Sequence, residues 1–144
     1  MSEIEGLLDV YAAAARAKDV DALVTLYAED VEVFDAWAWS HRGRDAWRAV
    51  VEAWFASAGD DVIAVTFDEL RVNVVGHAAA ASMIVRYAAE SPSGDELRSL
   101  ENRMTWALEQ QDGTWHVVHE HSSAPADAAT GKIAYARPAA DAAA

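Results

Sequence analysis

The chain has 144 residues, enough for one domain with a substantial core, and 53% of them are hydrophobic, which excludes a disordered body. Its formal charge of −13 argues against nucleic acid and anionic membrane as partners, because phosphate binding needs clustered Lys and Arg. There is no cysteine, so disulfides, thiolate metal sites and cysteine catalysis are excluded. No secretory pattern or apolar run of membrane-spanning length stands out, and a soluble cytoplasmic protein is expected.

Ser2-Glu3-Ile4-Glu5 fits a capping box, and Ile4, Leu7, Leu8, Tyr11 and Ala15 then recur at helical spacing. Lys18-Asp19 interrupts the pattern, and Asp19 can cap a second short helix carrying Val20, Leu23, Leu26 and Tyr27. Residues 31 to 35 alternate as a short strand, with Val31, Val33 and Asp35 on one face. A loop from 36 to 43 follows. The spacing of Trp47, Val50, Val51 and Trp54 predicts a third helix from about Arg44.

The rest reads as strands. Apolar positions slip from Ile63, Val65 and Phe67 to Leu70, Val72 and Val74, which predicts a β-bulge near Asp68-Glu69. Gly76-His77 is a turn, 78 to 90 a strand, and Ser91 to Gly94 a loop. A strand over 97 to 110, an Asp112-Gly113 hairpin turn and a strand over 115 to 123 complete the meander. The fold class is α+β: a cone-shaped barrel of strongly bent, mostly antiparallel sheet, with three helices from the N-terminal half enclosing a pocket. The domain is expected over 1–125. The tail, 126–144, contains Ala and Pro; it is either a mobile end or an arm docking through Ile133 and Tyr135.

On the last strand residues two apart share a face, so Trp115, Val117, His119, His121 and Ser123 point one way. That face starts apolar and ends in two imidazoles and a hydroxyl, as the wall of a ligand pocket would. As a metal pair, His119 and His121 lack a third ligand at a recognisable spacing. Acid–base work suits an imidazole better, with a hydrogen bond in the core or an interface as the alternative. Asp35 stands at a pocket mouth or on a solvated edge; buried by Trp37 and Trp39, it could act as a base. Trp37 and Trp39 are loop aromatics suited to holding an apolar ligand, whereas Trp47 and Trp54 read as core. Arg86 and Arg103 lie in mid-strand and need partners if buried. They form either an anion clamp or structural pairs, Arg103 with Glu101 and Arg86 with Asp35.

From about Ser2 to Pro125 the element order resembles the nuclear transport factor 2-like superfamily, also called SnoaL-like or ketosteroid-isomerase-like. Within it the chain is most similar to the association domain of calcium/calmodulin-dependent protein kinase II and its stand-alone bacterial relatives. The carriers are Val33-Phe34-Asp35, Gly43-Arg44-Asp45, Arg86 within Ile84-Val85-Arg86-Tyr87, and Arg103 within Glu101-Asn102-Arg103. They continue with Asp112-Gly113-Thr114-Trp115, which runs into His119-Glu120-His121-Ser122-Ser123-Ala124-Pro125. The resemblance implies a homodimer formed sheet to sheet and a deep pocket. It also implies that Arg86 and Arg103 point into that pocket, where small carboxylates bind; Ser122 stands where the association domain has a third arginine. The Asp, Tyr and protonated Asp of the ketosteroid isomerases find no match, nor does the Asp-Arg-Asp set of the epoxide hydrolase branch.

The expectation is a small-molecule-binding protein, acting as an isomerase, dehydratase or cyclase on a hydrophobic substrate with a carboxylate or carbonyl group. Asp35 and His121 would shuttle the proton, and Trp37, Trp39, Arg86, Arg103, His119 and Ser123 would bind the ligand. Such chemistry calls for no metal or organic cofactor. The alternative is a non-catalytic oligomerisation or metabolite-binding module.

Overall fold

In the computed structural model, which describes residues 2–138, two side-chain caps set the first helices. Ser2 Oγ accepts the amide of Glu5 at 3.1 Å and opens α1 (Glu3–Ala17). Asp19 Oδ1 accepts the amide of Ala22 at 3.0 Å and opens α2 (Val20–Val24). Between them Lys18 adopts φ 55°, a left-handed turn that ends α1.

β1 (Tyr27–Phe34) starts earlier than its alternation suggests. Tyr27 belongs to the sheet and Leu26 to the turn before it, not to the second helix, and Leu26 O accepts the amide of Val117 at 2.9 Å. Then come β2 (His41–Arg42), a two-residue strand inside the expected loop, and α3 (Arg44–Ser57). β3 (Val62–Val75), β4 (Ala78–Glu90), β5 (Glu96–Gln111) and β6 (Thr114–Ser123) form the meander.

The sheet order is β2-β1-β6-β5-β4-β3. β1 runs parallel to β6, and the other neighbouring pairs are antiparallel. The sheet is curled but does not close into the expected barrel: β2 and β3 remain its two edges, and the helices cover the inner face. Tyr11 of α1, for example, meets Phe67 of β3 edge-on at 5.7 Å between ring centroids. Among the described residues no helix is long and apolar enough to cross a membrane.

Two bulges control which side chains face inward. The register of β3 on β4 shifts between Asp68 and Arg71, with Glu69 at φ 55°, where the phase slip predicts it. The second bulge lies in β6, where Val117 pairs with Leu108 and His119 with Ala107, leaving Val118 as the extra residue. Trp115 and Val117 face inward before the bulge; Glu120 and Ser122 face inward after it. His119, His121 and Ser123 are thereby turned off the inner face on which strict alternation puts them.

Candidate functional site

Helices and sheet enclose a cavity of about 310 Å³. Tyr11 comes from α1, and Trp47, Val50, Val51 and Trp54 from α3. Tyr87 comes from β4, Leu100 and Asn102 from β5, Glu120 and Ser122 from β6, and Asp35 and Trp37 from the loop after β1. The wall is mostly aromatic and aliphatic, and it includes two acids and no basic side chain.

Glu120 is the most constrained of these groups. Its Oε1 accepts the Tyr27 hydroxyl at 2.5 Å and the Trp106 indole N–H at 2.8 Å. Burial pushes its carboxyl above the usual carboxylate range, the two donated bonds pull it part-way back, and the charge of Asp35 pushes it up again. Two donors already occupy Oε1, and Oε2 has no protein partner among the described hydrogen bonds, so Oε2 is the oxygen open to a proton or a ligand. The upward shift favours the protonated, donating form of Glu120. Nearby, the hydroxyls of Tyr11 and Tyr87 meet at 3.3 Å, and burial raises both phenols above their ordinary range.

Asp35 sits at the end of β1 with its side chain only 8% exposed. Its Oδ1 accepts the amides of Trp37 at 2.9 Å and Ala38 at 2.8 Å, folding the loop back as an Asx-turn. Its Oδ2 meets His41 Nε2 at 2.9 Å. β2 fixes that contact by pairing His41 with Val33.

Two more lining groups, Asn102 Oδ1 and Trp47 Nε1, are buried without a hydrogen-bond partner. Burial, and after it the charge of Glu120, raises the neighbouring Tyr27 phenol well above its ordinary range, and Trp47 offsets only a little of that. Buried polar atoms left unpaired are rare, and here both belong to residues that line a space a ligand could fill.

Asp35 and Trp37 thus line the cavity. Trp39, His121 and Ser123 line a second, more open hollow of about 590 Å³, which shares Asp35 and Ser122 with the first. His121 is exposed, and the imidazole that bonds Asp35 is that of His41. His119 lines neither space; its Nδ1 lies 3.4 Å from Glu32 Oε1.

Arg86 and Arg103 do not line the cavity, because Val85 with Tyr87, and Asn102 with Met104, take the inward places on their strands. Arg86 pairs with Glu96 at 2.6 Å and Arg103 donates to Ser123 Oγ at 3.1 Å, so the expected anion clamp is not assembled. Neither expected structural pair forms either.

Reading from sequence missed Glu120, Asn102, Tyr11 and Tyr87, and assigned Trp47 and Trp54 to core alone. Either phase of β6 puts a titratable group inside; the bulge at Val118 decides which. Among the described residues no group of three His, Asp or Glu could hold a metal ion.

Beyond β6 the chain turns back on itself. Ala126 bridges Ile133, and Tyr135 O accepts the amide of Glu101 at 2.6 Å. The Tyr135 ring stacks on Trp37 at 5.4 Å with 20° between planes. Arg137 reaches Glu101 at 2.6 Å, Asp68 at 3.1 Å and Glu69 at 3.7 Å. The described tail is therefore a docked arm held by Tyr135 and Arg137; Ile133 is 46% exposed, and residues 139–144 lie outside the described residues.

A family model described as a SnoaL-like domain matches residues 4–127. A solved NTF2-like protein of unknown function from Pseudomonas putida KT2440 is 30% identical, covers 94% of each chain and superposes with a TM-score of 0.82. A candidate calcium/calmodulin dependent protein kinase II association domain from Xanthomonas campestris is 19% identical over 85% of this chain and 86% of that one, with a TM-score of 0.72. A candidate aromatic ring hydroxylase from Novosphingobium aromaticivorans is 17% identical over 84% and 85%, with a TM-score of 0.65. The last two likenesses speak to fold alone. No curated protein matches.

Proposed function

The chain belongs to the SnoaL-like domain family, and on that premise we propose that its cavity binds a small, largely apolar carbonyl compound and isomerises, dehydrates or cyclises it without a cofactor. One observation carries this reading: Glu120, whose buried carboxyl is shifted toward its protonated form, lines the same largely apolar cavity as Asp35.

The roles follow from geometry. A substrate carbonyl oxygen accepts the proton of Glu120 Oε2 as a hydrogen bond, which draws electrons from the adjacent carbon. Asp35 takes the proton from that carbon, giving an enolate held by the Glu120 hydrogen bond. Returning the proton from Asp35 to another carbon completes an isomerisation; passing it to a departing β-hydroxyl, which leaves as water, completes a dehydration. The apolar body packs on Trp37, Trp47 and Trp54. A carboxylate substrate is disfavoured, since two acids and no base line the space.

The test is proton exchange in D2O. A panel of cyclic enones and β-hydroxy ketones is incubated with the protein, and deuterium at the α-carbon is followed by NMR. Asp35→Asn should abolish the catalysed exchange and Glu120→Gln should slow it about a hundredfold. Wild-type rates in both variants would end the catalytic reading.

A second reading, a non-catalytic binding module that works as a homodimer, draws on the outer face of the sheet. There Ala80 pairs with Ala107 and Ser82 with Thr105, small side chains that let a second sheet approach closely. Light scattering tests it: a monomeric mass at micromolar concentration removes the dimer.

A further inference from the structure

The inner cavity and the outer hollow meet along Asp35 and Ser122, which line both. Two stacked rings stand at the same boundary: Trp37 lines the inner space and Tyr135 the outer. We propose that the Trp37–Tyr135 stack is a gate between two halves of one elongated site, latched by Arg137, and that the ligand is longer than the inner cavity. This rests on the reading of the inner cavity as the ligand site.

Three observations support it. Among the described backbone–backbone hydrogen bonds the arm bearing Tyr135 meets β5 at one point, Glu101 N to Tyr135 O, and Glu101 lies between the lining residues Leu100 and Asn102. Next in the chain, Arg137 spans from Glu101 to Asp68, and its side chain is 41% exposed. Ion pairs that exposed are screened by salt and exchange readily, as a latch must. Third, the outer hollow contains Trp39, 97% exposed, with Phe34 and Ile133 nearby. An indole that open has no packing role in the chain itself, and the far end of a long apolar ligand would cover it.

Two neutral fluorescent probes separate the parts of the idea: 1-naphthylamine, one fused ring system, and N-phenyl-1-naphthylamine, the same head with a further ring. Trp39→Ala should weaken the longer probe about tenfold and leave the shorter unchanged. Equal effects on both probes, or none on either, overturn the length claim. Arg137→Ala should raise the association and dissociation rates of the longer probe together, each about tenfold, with Kd nearly constant. It should also speed hydrogen exchange at the Glu101 amide, as should molar salt on the wild type. Unchanged rates and exchange overturn the gate while leaving the cavity reading standing. If neither probe binds the wild-type protein, the cavity reading falls and the gate falls with it.

Discussion

His41 Nε2 stands 2.9 Å from Asp35 Oδ2, and the two-residue strand β2 is what holds it there. The contact fixes one carboxylate oxygen while two loop amides fix the other. Asp35→Ala should therefore release the loop that carries Trp37, costing about 1–2 kcal/mol in urea titration through the lost Asx-turn bonds. Asp35→Asn keeps much of that geometry but removes a negative charge from the vicinity of Glu120. Its expected signature is a Glu120 carboxyl that ionises at lower pH, seen by infrared as earlier loss of the protonated C=O band. A band that titrates identically in both proteins would mean the two acids do not sense each other.

Stability should carry the mark of Glu120 on the alkaline side. Its carboxyl is raised above the ordinary value of 4.5, so its protonated form contributes fully below that pH. The contribution is lost as pH rises toward the folded-state value, because the native state then binds the extra proton and must give it up. Glu120→Gln keeps an oxygen for Tyr27 and Trp106 and has no proton to lose. The difference in unfolding free energy, wild type minus variant, should fall steadily from about pH 4.5 upward; a flat difference curve contradicts a protonated Glu120.

Tyr27→Phe removes one of the two donors on Oε1 and little volume. It should cost about 1–2 kcal/mol and push the Glu120 carboxyl further up, since that donated bond lowers it. Repeating the pH series in this background should extend the falling segment to higher pH. A stability loss without that extension would assign Tyr27 to packing alone.

Deleting Val118 tests whether the bulge or the facing of β6 matters to the fold. It removes the extra residue and gives β6 strict alternation with every other side chain on its present face, since Val117 and Glu120 would then stand two apart and both point inward. Stability should change by no more than about 1–2 kcal/mol, with a cooperative thermal transition kept in circular dichroism. A collapsed transition would mean that the bulge itself is needed to seat β6 between β1 and β5.

Local chemistry made most of the fold legible. Ser2 and Asp19 announce helix starts by cap geometry, Asp112-Gly113 takes positive φ in its turn, and the bulge at Glu69 shows as a slip of apolar parity. The Val118 bulge has no such mark. It uses no glycine and no positive φ, and it is set by neighbours on both sides, Leu108 on β5 and Tyr27 on β1. Glu120 was hidden for the same reason, because its Tyr27 donor lies 93 residues away. Two residues cannot carry a periodic signal, so β2, and with it the partner of Asp35, was also out of reach. Arg86 and Arg103 show the converse: their strands were placed correctly, yet which face is inner depends on helices that pack only in three dimensions.

The bulge in β6 also bears on how such a protein can change over generations. Most routes to new chemistry replace a side chain that touches the ligand. Here a register in which Val118 is paired instead of bulged would exchange an acid and a hydroxyl for two imidazoles and a hydroxyl, with every one of those residues left intact. Descendants of one ancestor could thus diverge in reactivity while their aligned residues stay the same, and an alignment that slid a gap past Val118 would compare the wrong walls.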